Sequence, residues 1–172
     1  YAISKKMTPG IQVVVARKGK VIYQKSFGNH TYESTQKVNN TDVYDIASLT
    51  KIVATLPNVM QEFDQGHLTL ETKLKTMLPE AKNSNKANAT VLDMLTHQAR
   101  FQPWIPFYKA TLDSLNRPST HFYRSEFSDE FPIHVANKLY LRKDYNDTIV
   151  KTILESELLP KKQYKYSDFT FI

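Results

Sequence analysis

Residues 44–51 are Tyr44-Asp45-Ile46-Ala47-Ser48-Leu49-Thr50-Lys51, and they mark the point where the character of the chain changes. From Ser48 to about Gln65, apolar residues recur at the spacing of one helical face: Leu49, Ile52, Val53, Leu56, Val59, Met60 and Phe63. Gly66 supplies a stop at the C-terminal end, and Pro57 predicts a kink or break inside the helix. The sequence therefore predicts a long amphipathic helix that begins at Ser48.

Ser48 and Lys51 have the S-x-x-K spacing, which brings a hydroxyl and an amine to the same face of a helix. The helix dipole and burial are expected to lower the pKa of Lys51, so that its neutral amine acts as a base toward the serine. The alternative is that Ser48 is only a helix N-cap and Lys51 a solvated lysine one turn later. The pattern also occurs at Ser34 and Lys37, but that copy lies in a polar stretch and is assigned to the surface.

Upstream of this helix, residues 11–17 and 21–27 are rich in β-branched and aromatic residues and predict two strands. Lys18-Gly19-Lys20 predicts the hairpin turn between them. A two-stranded hairpin is not a stable sheet by itself, and no later segment is a convincing strand. We therefore expect the partner strands beyond residue 172 or in another chain.

Downstream, the pattern is mainly helical. A turn with a short helix is predicted over 68–78, and a helix from Thr90 to His97, with Thr90 as cap and Asp93 completing a capping box. We assign His97 a structural role, because a histidine that ends an apolar helix is usually a satisfied polar group. The remaining expectations are a polar loop at 81–89, a rigid irregular segment at 100–108, loops over 112–134 and a helix over 145–158.

Together these elements predict an α+β fold, in which an antiparallel sheet, represented by its N-terminal hairpin, packs with a helical region. We interpret residues 1–172 as the N-terminal portion of one domain. Residues 1–66 hold the hairpin and the helix that begins at Ser48, and residues 67–172 form the mainly helical part.

Composition excludes several functional classes. The chain has no cysteine, which rules out disulfides, thiol nucleophiles and cysteine-ligated zinc. Its histidines show no metal-ligand spacing, so no metal or organic cofactor is expected. The net charge of +6 comes from scattered lysines, and we expect no nucleic-acid partner. No apolar run is long enough to span a membrane, and the absence of a signal-peptide pattern indicates a mature piece.

Four segments, in order, resemble the serine β-lactamase and penicillin-binding-protein family, especially its class C, esterase and D-alanyl carboxypeptidase branch. They are the Ser48 segment (44–51), the stretch 64–74, the Leu-Leu-Thr-His-like end of the helix at 92–97, and Tyr166-Ser167-Asp168, which falls where the family has Tyr-x-Asn. The resemblance begins at about Pro9. It is carried by the order of the four segments, since each one alone is common.

The resemblance implies an acyl-enzyme mechanism. Ser48 is then the nucleophile, Lys51 and Tyr166 share the proton transfers, and the Ser48 backbone N–H forms half of an oxyanion hole. Asp168, Trp104 and Gln102 are the residues assigned to substrate binding. Tyr145-Asn146-Asp147 has the same form as the Tyr166 motif, but it opens a predicted helix, where Asp147 is assigned as the cap.

The chain departs from the family pattern in two places. It contains no Lys-Thr-Gly or His-Thr-Gly triplet, so we expect it to be inactive alone. Asp168 stands where the family has asparagine, and an ionised carboxylate accepts hydrogen bonds but cannot donate them. Its charge is also expected to hold Lys51 protonated, which disfavours turnover of β-lactams and peptides.

The leading hypothesis is a serine hydrolase that acts on an ester, a D-amino-acid amide or a β-lactam or other cell-wall-like substrate. The resemblance implies a bacterial, extracytoplasmic (periplasmic or secreted) location. The alternative is a non-catalytic binding or accessory domain that keeps the fold.

Overall fold

The computed structural model describes residues 1–171 of the 172-residue chain, so Ile172 at the end of the predicted aromatic run lies outside the described residues. The chain forms two compact units that divide between Leu49 and Thr50. The first unit is residues 1–49, and the second begins at residue 50. Helices and antiparallel sheets are both present, which confirms the predicted α+β class.

The first unit is built on the predicted hairpin. Strands β1 (Gly10–Arg17) and β2 (Lys20–Gly28) pair antiparallel. The two turn residues Lys18 and Gly19 both have positive φ, 49° and 75°. Such a turn matches the right-handed twist of paired strands, which explains why a glycine stands there. Within residues 1–171 the hairpin forms a sheet of its own, and several of its apolar side chains are exposed, including Val14, Val21 and Ile22.

The helix predicted from Ser48 to Gln65 is present, and its geometry changes twice along its length. A 3₁₀ turn covers Ala47–Leu49, a π-helical turn covers Lys51–Thr55, and helix α1 covers Leu56–Asp64. Pro57 lies in the first turn of α1, where a missing N–H is tolerated. Residues 47–64 are helical without a break, and the irregularity associated with Pro57 is the π-helical turn just before it. The wider turn accommodates the proline ring, which would otherwise clash with the carbonyl four residues earlier.

After α1, the chain forms α2 (Leu74–Met77), a 3₁₀ turn at Pro79–Asn83 and α3 (Val91–Leu95). Helix α3 has the predicted capping box: the Asp93 N–H donates to Thr90 Oγ1 at 3.1 Å, and the Thr90 N–H donates to Asp93 Oδ2 at 3.4 Å. The sequence predicts a polar loop between the 3₁₀ turn and α3. In the structure, the side chain of Lys86 in this loop is buried.

The prediction that no later segment forms strands is wrong. Strands β3 (Tyr123–Arg124), β4 (Ile133–Ala136) and β5 (Leu139–Leu141) form a three-stranded antiparallel sheet in the order β3-β5-β4. Strands of two to four residues are too short to show an alternating pattern in the sequence. Their pairing depends on tertiary contacts more than on β propensity.

Helix α4 (Tyr145–Glu155) confirms the helix predicted over 145–158. Its N-cap is Asp144. Asp147 therefore lies in the first turn, and the prediction that it caps the helix is wrong; the position still favours a carboxylate near the positive end of the dipole. Ile153 of α4 packs in the core of the second unit with Ala99, Phe101 and Phe169. Among the described residues, no helix is long and apolar enough to cross a membrane.

Candidate active site

The backbone just before Ser48 is held in an unusual conformation. Ala47 has a φ of +43°, in the left-handed region that residues with a side chain rarely adopt. The Asp45 carboxylate accepts a hydrogen bond from the Ala47 N–H at 2.7 Å and stabilises this turn. Strain of this kind is concentrated at functional sites. It sets the direction of the exposed Ser48 segment, the last turn of the first unit.

Lys51 begins the second unit's π turn, and its amine is enclosed by the segment that the sequence singled out near residue 166. The Lys51 Nζ donates to Asp168 Oδ1 at 2.6 Å. The same amine lies 5.0 Å from the centroid of the Tyr166 ring. The Lys51 side chain is 15% exposed and that of Asp168 is 39% exposed. The structure thus brings together three of the predicted site residues.

The charge state of Lys51 differs from the first expectation. Burial alone lowers the pKa of Lys51, as predicted, but the hydrogen bonds and negative charge of Asp168, with a further contribution from Tyr166, outweigh it. The net effect raises the pKa of Lys51 above its ordinary value, so the prediction of a lowered pKa is wrong. The second expectation, that Asp168 holds Lys51 protonated, is confirmed. The physical reason is the short distance to a carboxylate that only accepts.

The segment that carries Tyr166 and Asp168, residues 164–171, is here called the tyrosine segment. It is fixed to the irregular stretch at 102–103 by two hydrogen bonds: Ser167 Oγ donates to the Gln102 carbonyl at 2.7 Å, and the Asp168 N–H donates to the Pro103 carbonyl at 3.1 Å. Ser167 is buried, and its Oγ also accepts from the Phe169 N–H. These bonds set the position of Asp168 opposite Lys51.

His97, at the end of α3, forms the other side of the tyrosine segment. Its Nδ1 accepts a hydrogen bond from the Ser167 N–H at 3.2 Å, and its ring centroid lies 4.5 Å from that of Tyr166. Burial and the charge of Lys51 lower the pKa of His97, while Asp168 opposes them. His97 is thus a satisfied polar group, as the sequence predicted, but it lies beside two candidate catalytic residues.

The two other residues assigned to substrate binding have different surroundings. Trp104 is 57% exposed, as a surface ring available to a ligand would be. The Gln102 side-chain amide donates to the Glu157 carbonyl at 3.0 Å. It is the backbone carbonyl of Gln102 that holds the tyrosine segment. Substrate binding by Trp104, Gln102 and Asp168 stays a prediction.

Both competing motif copies have structural roles. Tyr145 is buried, and its hydroxyl donates to the Phe107 carbonyl at 2.6 Å. Ser34 is half-buried in an irregular loop, where its Oγ accepts from the Gln36 N–H. Sequence reasoning missed Ser167, and it did not place His97 against Tyr166. The signal for Ser167 was a lone serine in an aromatic run, which a buried position makes costly unless its hydroxyl is hydrogen-bonded.

No group of three or more acidic, histidine or cysteine side chains that could hold a metal ion occurs in residues 1–171. The groups that this arrangement brings together are the lysine, tyrosine and carboxylate described above, and Ser48 lies three positions before the lysine along the chain.

The chain is α+β, and the lysine of its S-x-x-K segment lies against a tyrosine far along the chain, as the resemblance to β-lactamase-like proteins implied. A family model described as Beta-lactamase matches residues 2–172. The chain belongs to the beta-lactamase family, and this confirms the resemblance carried by the four sequence segments.

Similar proteins agree with this assignment. A protein named Beta-lactamase from Providencia stuartii is 31% identical over 109 residues, which are 62% of this chain and 27% of that protein. A protein named N-acetylmuramyl-L-alanine amidase from Bacillus subtilis (strain 168) is 28% identical over 113 residues, which are 58% of this chain and 26% of that protein. The chain thus spans about a quarter of the length of these relatives.

The crystal structure of a class C beta lactamase superimposes on 98% of this chain with a TM-score of 0.65 at 18% identity. The match covers 38% of that structure's chain. At this identity the likeness concerns the fold, and it confirms that the hairpin and the helical region are those of a β-lactamase-like fold.

Proposed function

We propose that this chain supplies the nucleophile and the proton-transfer residues of a serine hydrolase that works through an acyl-enzyme. The observation that carries the proposal is the position of the amine of Lys51, three residues after Ser48: it lies 5.0 Å from the centroid of the Tyr166 ring and 2.6 Å from the Asp168 carboxylate. A serine hydroxyl needs a neighbouring base to become a nucleophile. Lys51 and Tyr166 are the groups that the S-x-x-K spacing and the tyrosine segment provide for that role.

The proposed reaction has two halves. In the first, the Ser48 oxygen attacks a carbonyl, its proton passes to the Lys51–Tyr166 pair, and the pair protonates the leaving group. In the second, the pair takes a proton from water, which attacks the ester formed on Ser48; as the bond to Ser48 breaks and the acid leaves, the pair returns that proton to the Ser48 oxygen. The Ser48 backbone N–H is proposed to stabilise the oxyanion in both halves.

The ion pair with Asp168 places a condition on this chemistry. Lys51 must lose its proton before it can accept one from Ser48, and Asp168 opposes that loss. We therefore propose a substrate that is activated or that interacts with Asp168 through its own N–H groups, because a carboxylate accepts hydrogen bonds and does not donate them. An ester or a D-amino-acid amide that presents N–H groups to Asp168 fits better than a β-lactam that presents an amide carbonyl there, because that carbonyl would need a donor. The names of two curated relatives, a beta-lactamase and an N-acetylmuramyl-L-alanine amidase, support a substrate of the cell-wall type. The extracytoplasmic location stays a prediction.

A second candidate function is favoured by the same ion pair. If Lys51 stays protonated throughout, the chain belongs to a non-catalytic binding or accessory domain.

Labelling by a fluorophosphonate separates the two candidates, because this reagent reacts with activated serines. The full-length protein is treated with the probe, and the modified residue is identified by mass spectrometry. The hydrolase proposal predicts labelling of Ser48 that is lost in Ser48→Ala and retained in Ser34→Ala, the matched change in the second S-x-x-K copy. Absence of Ser48 labelling in the folded wild-type protein, at neutral and at alkaline pH, would favour the non-catalytic domain.

A further inference from the structure

His97 stands at a backbone position where glycine is the usual residue. Helix α3 ends in a Schellman motif, in which the His97 N–H donates to the Met94 carbonyl at 3.1 Å and the Gln98 N–H donates to the Asp93 carbonyl at 2.7 Å. His97 has a φ of +55°, the left-handed conformation that disfavours residues with a side chain. A histidine is therefore a poor choice for ending the helix, which suggests that its ring has another task.

The imidazole ring is the main polar contact between α3 and the tyrosine segment. Its Nδ1 accepts from the Ser167 N–H at 3.2 Å and lies 3.3 Å from Thr170 Oγ1, while the His97 carbonyl accepts from the Lys165 N–H at 2.9 Å. The ring also packs against Tyr166. A nitrogen that accepts from a backbone N–H carries no proton, so the ring is neutral and its proton is on Nε2.

The charges around the ring keep it neutral. Burial disfavours the imidazolium and lowers the pKa of His97, the positive charge of Lys51 lowers it further, and Asp168 acts in the opposite direction. On α3, Asp93 is already paired with Lys162 at 2.6 Å. The rings that contact the His97 ring belong to Tyr164, Tyr166 and Phe171.

We propose that His97 is a positioning residue whose neutral Nδ1 acts with the bonds to residues 102–103 to fix the tyrosine segment, so that protonation of His97 loosens the contact of Tyr166 and Asp168 with Lys51. On protonation, a new Nδ1–H would face the Ser167 N–H, and two donors cannot bond each other. The catalytic consequence rests on the proposed function, since it matters only if Lys51 and Tyr166 act on Ser48. The structural part does not depend on any activity.

The structural part is tested by amide hydrogen exchange of Ser167 in the full-length protein, with a matched pair of variants. His97→Gly and His97→Asn both suit the left-handed position, but only asparagine carries an acceptor, at the place of Nδ1. After correction for intrinsic exchange rates, loss of one hydrogen bond should speed exchange of the Ser167 amide by about fivefold in His97→Gly at neutral pH. His97→Asn should retain the wild-type protection.

Acidification provides the second readout. Wild-type protection of Ser167 should fall as the pH drops through the pKa of His97, whereas His97→Asn should show no such fall. Equal protection in the wild type and both variants at neutral pH, or a wild-type value that does not change with acid, would overturn the proposal. A purely structural cap predicts that His97→Gly is neutral or stabilising and leaves Ser167 unchanged.

The catalytic consequence is read from the pH dependence of Ser48 labelling by the fluorophosphonate. Reactivity should fall with acid in both proteins as the neutral fraction of Lys51 falls. The wild type should show an additional fall through the His97 pKa, and His97→Asn should lack that additional fall. If Ser48 is never labelled, the proposed function fails, while the exchange result at Ser167 still decides the role of His97.

Discussion

Replacing Asp168 with asparagine tests the central feature of the site, the charge that opposes a basic Lys51. The change keeps the size of the side chain and restores the residue found in the family's Tyr-x-Asn motif. Because burial of Lys51 then acts without the carboxylate against it, the pKa of Lys51 should fall. A larger fraction of the amine is then neutral at a given pH.

The size of the effect follows from the geometry of the pair. Two unit charges about 4 Å apart attract by about 1 kcal/mol in water and about 4 kcal/mol at a protein surface of lower dielectric constant. Exposed ion pairs give about 0.2–1 kcal/mol when measured. With Lys51 15% exposed and Asp168 39% exposed, solvent screens the pair strongly. We expect about 1 kcal/mol, which corresponds to a roughly fivefold larger neutral fraction.

The assay is the second-order rate constant for labelling of Ser48 by a fluorophosphonate at neutral pH. We expect it to rise about fivefold in Asp168→Asn, in proportion to the neutral amine. Asp168→Ala separates charge from the new amide, because it removes the carboxylate without adding a donor. Asp113→Asn is the matched charge control, since Asp113 pairs with Arg117 at 2.9 Å and not with Lys51.

An unchanged rate in both Asp168 variants, with the fold intact by circular dichroism, would refute the reasoning. So would an NMR titration of ¹³C-labelled lysine in which the Lys51 pKa stays at the wild-type value. A rise in Asp168→Asn alone would assign the effect to the amide donor and not to the charge.

Four further outcomes are expected. The ion pair with Asp168 raises the pKa of Lys51 above 10.5. The stability that the pair contributes is therefore complete below pH 10.5 and is lost as the pH rises through the folded-state pKa of Lys51. Urea unfolding at increasing alkaline pH should show this loss in the wild type and much less of it in Asp168→Asn. Lys86→Met should lower the free energy of unfolding by about 2 kcal/mol, because carbonyls at the end of α4 lose their buried donor. The control Lys82→Met, at an exposed position, should change it by less than about 0.5 kcal/mol. Equal effects would contradict the role of Lys86 as a buried donor. Thr90→Ala should cost about 1 kcal/mol in the same assay through loss of the capping box, and no cost would mean that the box is not formed in solution. Phe169→Ala should cost about 3–5 kcal/mol, because the ring packs in the core that supports the tyrosine segment, and a cost below about 1 kcal/mol would place the ring outside that core.

Much of the fold and of the candidate site was predictable from the sequence because its signals are local. The hairpin follows from β-branched strands around Lys18 and Gly19, and the capping box from Thr90 and Asp93, which need only their own neighbours. The family resemblance singled out Lys51, Tyr166 and Asp168. The charge of Asp168 alone was enough to predict that Lys51 would be held protonated.

Other features have no local signal. The three-stranded sheet is made of strands too short to show a period, and the start of α4 depends on packing of Tyr145 more than on the preferred cap at Asp147. The pKa of Lys51 was first assigned from the helix dipole and burial. It could be decided only when the distance between its amine and the Asp168 carboxylate was known.

The sequence by itself determined which chemical groups are present: a serine and a lysine three residues apart, a tyrosine, and a carboxylate in place of an amide. The tertiary structure decided how they act on one another, since residues 51 and 168 are separated by 117 positions along the chain and meet at 2.6 Å. It also placed His97 against Ser167, across 70 residues, at a backbone position that favours glycine. The physical reason is that electrostatic and hydrogen-bond energies depend on distance in space, which only the folded chain sets.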